Sequence, residues 1–418
     1  MEVISGKNLC KLIYETLSLI DARPIVHGER TSYIVYKMLQ DIGNLEAYQR
    51  ADLDVIVTLH DIGAYKTDNL NDSLKYESKN YMNHSVYGFL FLKTLSPYQE
   101  LSKILLYHHT DARIAGSIKY SDPKIPLCLH LAEATDIYHK AMGPKFDLQM
   151  FNKYVDIKYS RQSLELINQA ETKYQFLAKL NDGSYREELE AVRRYQIYSK
   201  EDTKKLLQVL IFCMGFRNEL TSTDTLACAS ICKALAKKLT LSEEDANILY
   251  YAAVVHDIGM MSVPQKILSA PRKLTAEELA VVRKHVECTG QILNGKVKQK
   301  VIDIALAHHE RFDGSGYPLH LNASGLNLAM AILQVADTVS ALIGERSYRI
   351  KQGPGDVCRL LKEEASKGRL HGAVVDVLVR DYDEIMEYVR KKEEDMFRLY
   401  QKMEIQYRKT CGSGEAKS

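Results

Sequence analysis

The chain has 418 residues, 46% of them hydrophobic and 26% charged, with 56 Lys+Arg against 54 Asp+Glu and a formal net charge of +2. That length exceeds one ordinary core and points to two or three domains, and the mixture is that of a folded globular protein. The near balance of charge argues against a nucleic-acid polymer or an anionic membrane as partner. No apolar run has the length of a membrane span or the build of a secretory signal, so a cytoplasmic location is expected.

Taken in chain order, the first predicted helix carries Leu9, Leu12, Ile13, Leu17 and Ile20 on one stripe. His27 follows, then an apolar tract ending Val57-Thr58-Leu59-His60-Asp61-Ile62-Gly63, then His84, the pair His108-His109, and Asp136. Residues 151–205 are rich in Lys, Arg, Glu and Tyr, with a turn signal at Asn181-Asp182-Gly183, and read as linker helices. Helix starts are marked by Ser242 ahead of Glu243 and Glu244, and by Thr275 ahead of Glu277 and Glu278. The tract Val254-Val255-His256-Asp257-Ile258-Gly259 comes next to the first of these, followed by His285, His308-His309 and Asp337. A last helix, about 376–409, spaces Ile385, Val389, Met396, Leu399 and Met403 along a stripe that suits its own domain or a partner helix in a homodimer. Helical periodicity dominates and hairpin signals are scarce, so the fold is expected to be all-α.

The eight cysteines form no CxxC pair, which argues against a zinc ribbon or a dithiol redox site. Cys228 and Cys232 stand four apart among Ala227, Ala229, Ile231 and Leu235 and read as core.

The decisive feature is a repeat. His60, His84, His108 and Asp136 recur as His256, His285, His308 and Asp337 at offsets of 196, 201, 200 and 201 residues, which reads as a tandem duplication. The expected organisation is an N-terminal domain over 1–150, a helical linker over 151–205, a C-terminal domain over 206–410 and a flexible tail over 411–418. Nine of the 13 histidines belong to the two sets, eight at repeated positions and His27 ahead of the first, while His130, His139, His320 and His371 do not and read as ordinary core or surface residues. Imidazole and carboxylate drawn from several helices suit Fe, Mn and Zn. Adjacent helical residues point about 100° apart, so an Asp after a His can bridge two ions while the His binds one. Such a pair polarises a phosphoryl oxygen and gives hydroxide from water near neutral pH, which is the chemistry of phosphoester hydrolysis.

His-Asp followed by spaced His, His-His and Asp resembles the HD superfamily of phosphohydrolases. The run His309-Glu310-Arg311-Phe312-Asp313-Gly314-Ser315-Gly316-Tyr317-Pro318 resembles the HD-GYP subfamily, whose members open cyclic di-GMP or related cyclic dinucleotides at bi- or trinuclear iron or manganese centres. The resemblance covers about 206–400 for HD-GYP and about 15–145 for a plainer HD domain. It implies two or more divalent ions per site, Fe or Mn first and Zn or Ni next. The implied ligands are His256, Asp257, His285, His308, His309, Asp337 and Asp224 in the C-terminal copy, with Asp257 as the bridge. In the N-terminal copy they are His27, His60, Asp61, His84, His108, His109 and Asp136. It also implies that Arg311, Asp313, Gly314, Gly316, Tyr317 and Pro318 form a substrate loop, that Tyr317 touches the ligand, and that Arg346 and Arg349 hold phosphates.

This chain departs from the pattern at named positions. Asp224 stands for the family's first His, Met260 for the Lys after His-Asp-x-Gly, and Ser340 for an Asp. The N-terminal copy lacks the Gly-Tyr-Pro loop, reading Thr110-Asp111-Ala112-Arg113, and has Ala64 at the Lys position with Lys66 two residues later. The function expected is cyclic dinucleotide hydrolysis, with cyclic di-GMP foremost, at the C-terminal site. Loss of the cation at Met260 implies slow turnover. Two alternatives stand beside it: a nucleotide phosphohydrolase working from the N-terminal site, and a cyclic-dinucleotide receptor without turnover.

Overall fold

The computed structural model describes residues 3–42, 45–67, 81–217, 219–344 and 352–411. Helices account for the regular structure: among the described residues the β-type pairing consists of isolated bridges, Val155 with Tyr159 and Asp313 with Asn322. The all-α expectation holds. One-turn helices aside, the α-helices are α1 (Gly6–Ile20), α2 (Ala22–Leu39), α3 (Ala47–Thr58), α4 (Tyr81–Leu95), α5 (Lys103–Tyr107), α6 (Lys124–Met142), α7 (Arg161–Tyr174), α8 (Phe176–Asp182), α9 (Tyr185–Arg193) and α10 (Lys200–Gly215). They continue with α11 (Glu219–Lys238), α12 (Glu243–Val255), α13 (Ala276–Arg283), α14 (His285–Leu293), α15 (Gln299–Leu306), α16 (Leu328–Ile343), α17 (Pro354–Ser366), α18 (Gly372–Arg380) and α19 (Tyr382–Cys411).

The chain divides into two compact units, 21–206 with 401–418, and 1–20 with 207–400. Each is organised around one long helix that carries two others. In the first unit α2 packs on α3 and α6; in the second α11 packs on α12 and α16. The caps follow the sequence. Asp21 accepts the Arg23 amide at the start of α2, Ser242 accepts the Asp245 amide at the start of α12, and Thr275 and Glu278 form a capping box at α13. Gly183 takes φ 83° to close α8, as the Asn-Asp-Gly signal requires.

The unit boundaries differ from the expected domains in two places. The stripe of α1 packs on the 3₁₀ turn Ile258–Ser262 and on α14, held by Asn8 Nδ2 donating to Lys296 O at 2.6 Å and by a Lys296–Glu15 ion pair at 3.0 Å, so residues 1–20 group with the C-terminal half. The segment 151–205 is part of the first unit's core rather than a spacer, because Arg193 donates to Asp54 Oδ2 at 2.7 Å and Arg30 to Leu180 O at 2.7 Å. The last helical stretch breaks at Asp381 between α18 and α19, and of its expected stripe Ile385, Val389 and Met403 are buried. The expected tail from 412 onward lies outside the described residues. None of the eight cysteines is in a disulfide, and Cys228 and Cys232 are buried on α11. No helix among the described residues is long and apolar enough to cross a membrane.

The glycine of each His-Asp-x-Gly tract has the same job. A Cβ on Gly63 would lie 2.1 Å from His84 O, and a Cβ on Gly259 would lie 2.1 Å from His285 O. The turn after His-Asp is thereby pressed against the helix that brings the next histidine. Gly259→Ala should destabilise the protein by about 3 kcal/mol through overpacking against backbone, read as a lowered denaturant midpoint; an unchanged midpoint would contradict this packing.

Candidate metal centres

Helix ends position the donors. His256 closes α12, and its Nδ1 donates to the Ala253 carbonyl at 2.8 Å; His285 Nδ1 donates to Val282 O at 2.7 Å, and His308 Nδ1 to Ala305 O at 2.6 Å. The last carbonyls of a helix lack intrahelical donors, so each ring satisfies the carbonyl three residues back. A carbonyl can only accept, so Nδ1 carries the proton and the Nε2 lone pair faces inward, the tautomer a metal needs. His60 on Val57 O (2.8 Å) and His108 on Leu105 O (2.6 Å) repeat the device in the N-terminal copy.

In the C-terminal copy these lone pairs meet around Asp257. Its Oδ1 lies 3.2 Å from His285 Nε2 and 3.6 Å from His308 Nε2, while its Oδ2 lies 3.5 Å from His256 Nε2. Asp337 stands on the second side, 3.7 Å from both His256 Nε2 and His309 Nδ1. Two donor groups result, His256-Asp257-Asp337 and His285-His308-His309, and Asp257 turns one oxygen toward each. His285 Nε2 faces His308 Nε2 at 3.1 Å, two acceptor lone pairs in contact that a cation would reconcile. The residues therefore fit divalent metal ions.

Electrostatics agree with this use. Burial raises the Asp257 and Asp337 carboxyls, but the surrounding imidazoles outweigh it, holding Asp257 well below the usual range and Asp337 at about 2. Burial and neighbouring rings depress His308 strongly and bring His309 to about 4, so both are neutral ligands at physiological pH. For His256 and His285 burial also lowers the pKa, but the carboxylates reverse it and the net direction is up.

Over this cluster lies the loop 309–318. Glu310 is fully buried and holds the loop from beneath, accepting the Leu319 amide at 2.6 Å and the Leu321 amide at 2.9 Å. Gly314 takes φ 78°, and a Cβ on Gly316 would come within 2.4 Å of the Glu310 and Arg311 backbone, so both glycines are structurally required. Asp313 is engaged in the loop itself, accepting Ser315 N and Oγ at 2.9 and 2.6 Å. The Tyr317 ring packs on His309 at 4.8 Å between centroids, and the Arg283 guanidinium lies over the Tyr317 ring, 5.0 Å from its centroid. Burial and then the Asp257 and Asp337 charges raise the Tyr317 phenol, keeping it a neutral donor.

The remaining expectations sort as follows. Asp224 is not among the converging donors; its Oδ1 lies where a Cβ on Gly344 would be 2.7 Å away. Arg346 and Arg349 lie outside the described residues. Met260 is half-buried in the 3₁₀ turn, leaving no cation at that position. His130 Nδ1 donates to Thr110 O at 3.2 Å and the Arg30 guanidinium donates to His139 Nδ1, and none of His130, His139, His320 and His371 is in a donor group among the described residues. In the N-terminal copy His27, His60, Asp61, His84, His108 and His109 converge, with His84 Nε2 3.0 Å from His109 Nε2 and 3.5 Å from Asp61 Oδ1. Asp136 does not join them, being taken up by His27, Arg30 and Lys140. The carboxylate in its place is Glu133, which the sequence reading passed over, as it did Glu310 and Arg283.

Comparison with known proteins agrees with this geometry. Residues 203–374 match the HD domain family. A 3'3'-cGAMP-specific phosphodiesterase 1 of Vibrio cholerae is 27% identical over 392 residues, which are 88% of this chain and 90% of that protein. A cyclic di-GMP phosphodiesterase of Thermotoga maritima is 31% identical over 196 residues, 46% of this chain and 53% of its own length. A crystal structure of a cyclic GMP-AMP specific phosphodiesterase from V. cholerae shares the fold at a TM-score of 0.59 and 17% identity, covering 90% of this chain and 97% of that one. The C-terminal half of the chain is thus an HD domain. The HD-domain match and these relatives, which are named as cyclic dinucleotide phosphodiesterases, support a metal-dependent phosphohydrolase.

Because the carboxylates stay ionised to low pH while His256 and His285 hold protons more tightly than a free imidazole, protons compete with metal mainly at these two rings. Metal retained by the C-terminal site should therefore fall on acidification from about pH 8 to about pH 6, measured as metal content after equilibrium dialysis. Retention that is flat over this range would contradict the assignment of these two rings as ligands.

Proposed function

We propose that the chain opens a 3'3'-linked cyclic dinucleotide at the C-terminal site. The observation that carries this reading is Asp257, whose two oxygens each face a separate donor group beneath a loop bearing Tyr317. The ions expected are two or more Fe or Mn, with Zn or Ni as substitutes, held by His256, Asp257, His285, His308, His309 and Asp337. Bound divalent ions supply Lewis-acid polarisation of the phosphoryl group and a nucleophile from water.

The chain's own residues do the rest. Tyr317, neutral and half-buried beside His309, presents its hydroxyl as a hydrogen-bond donor and its ring as an apolar platform for a base or ribose. Arg283 and Arg311 place cations at the same mouth, where a phosphodiester charge is drawn in. Glu310 fixes the loop so that Tyr317 keeps this place. Arg346 and Arg349 are proposed as further phosphate contacts on the sequence resemblance. Cyclic GMP-AMP stands beside cyclic di-GMP as substrate, because the relative aligned over 88% of this chain bears a 3'3'-cGAMP name.

Met260 favours a second reading, a receptor that binds the dinucleotide with little turnover, since an apolar side chain stands where the family pattern has a cation. Turnover of both dinucleotides by protein reconstituted anaerobically with Fe(II) or Mn(II) separates the two. Asp257→Ala should lower turnover by at least about 100-fold, while Asp61→Ala retains most of it. Met260→Lys should raise the rate about 10-fold if the missing cation limits it. Tight binding with no turnover in either the native chain or Met260→Lys would favour the receptor, and the reverse dependence on Asp61 and Asp257 would move the chemistry to the N-terminal copy.

A further inference from the structure

The two copies do not use the same carboxylate. In the C-terminal copy Asp337 on α16 faces the histidines, and Gln334 one turn earlier is occupied elsewhere, its Nε2 donating to Ala307 O at 3.1 Å. In the N-terminal copy the matching positions on α6 are Asp136 and Glu133, and their roles are exchanged. Asp136 is fully buried and saturated: it accepts His27 Nδ1 at 2.6 Å, the Arg30 guanidinium, and Lys140 Nζ at 2.8 Å. Arg30 is itself held by Leu180 O at 2.7 Å and His139 Nδ1 at 3.1 Å, so it cannot swing away without breaking both. A metal ion on Asp136 would sit beside two positive charges.

Glu133 has the opposite character. It is 5% exposed and its Oε2 has no hydrogen-bond partner, with His109 Nδ1 at 3.5 Å, beyond a hydrogen bond. The Nε2 atoms of His27 and His60, 3% and 0% exposed, are likewise without hydrogen-bond partners, and the three donors lie within 4.8 Å of one another. Three buried, inward-facing acceptors with nothing to accept from are costly unless a cation joins them. The bond from His27 Nδ1 to Asp136 then acquires a purpose, since it turns the His27 Nε2 lone pair toward the group, the arrangement in which an outer carboxylate orients a ligand imidazole.

We propose that the N-terminal unit holds its own divalent transition-metal ion on His27, His60 and Glu133, with Asp136 as the positioning residue for His27 rather than a ligand. This site is closed. The Glu133 and Asp61 side chains are 6% and 4% exposed, against 17% and 25% for Asp337 and Asp257, and no counterpart of the Tyr317 loop is present after His109. An enclosed ion stabilises the unit that binds it and does not receive a dinucleotide. The inference rests on the N-terminal copy alone and stands whether or not the C-terminal site is catalytic.

The test uses the full chain carrying Asp257→Ala, His285→Ala and His308→Ala, which takes donors from both C-terminal groups, so that the metal remaining after dialysis against Mn(II) or Zn(II) reports the N-terminal copy. That chain should retain metal, and its melting temperature should rise when metal is added back after stripping. Adding Glu133→Gln should abolish both the bound metal and the thermal shift while far-UV circular dichroism stays helical. Adding Asp136→Asn should weaken binding about 10- to 100-fold yet restore full occupancy at saturating metal. If Glu133→Gln does not fold, Glu133→Asp keeps the charge and withdraws the carboxylate by one methylene, and a fall in affinity is the supporting result. A helical chain with the C-terminal donors removed that binds no metal, or a Glu133 variant of it that binds normally while Asp136→Asn loses all metal, overturns the proposal.

Discussion

Five of the ring donors depend on one local bond, Nδ1–H to the carbonyl three residues back. It joins two problems with one solution. A helix end leaves carbonyls without donors, and a buried imidazole has two nitrogens of which one must be protonated. Keeping the proton on Nδ1 and donating it to the carbonyl satisfies the helix and points the bare Nε2 into the interior. Because the bond is made within the turn that carries the ring, the donor direction is set by the helix end itself and needs no distant support. The apolar residues before each His, such as Val254 and Val255 or Val55 and Val57, bury that end and bring the lone pairs together.

From these fixed ends the two copies diverge in how they present their carboxylates. Asp257 is partly open and lies beneath a loop that Glu310 anchors and two glycines permit. Asp61 is closed in, and its copy has the 3₁₀ turn Ala112–Ser117 where the other has Tyr317. The same donor frame therefore stands in two settings, one beneath a loop and one closed in by its neighbours.

The sequence made the frame legible because donors on separate helices recur at nearly constant offsets, a pattern that packing alone does not generate. The choice between Glu133 and Asp136 was not legible. Residues three apart share a helix face, so either carboxylate can reach the cluster, and what sets Asp136 apart is His27 and Arg30, which approach it from α2, and Lys140 one turn along its own helix. Asp224, which alignment by spacing places at the family's first His, has its carboxylate beside Gly344. The stripe on α1 is buried at Leu9, Leu12, Ile13 and Leu17, yet a stripe does not say which unit covers it, and here that is the C-terminal one. Glu310 escaped notice because it stands inside a recognised motif where attention falls on the glycines and the tyrosine, while its work is to accept two amides that follow it in sequence.

The central claim is that Asp257 bridges two donor groups. Anomalous diffraction from crystals of the manganese-loaded chain tests it most directly. The account predicts two peaks in the C-terminal unit, one beside His256 and Asp337 and the other beside His285, His308 and His309, with one Asp257 oxygen directed at each. A fully loaded crystal with a single ion there, or with two ions neither of which Asp257 contacts, would contradict it.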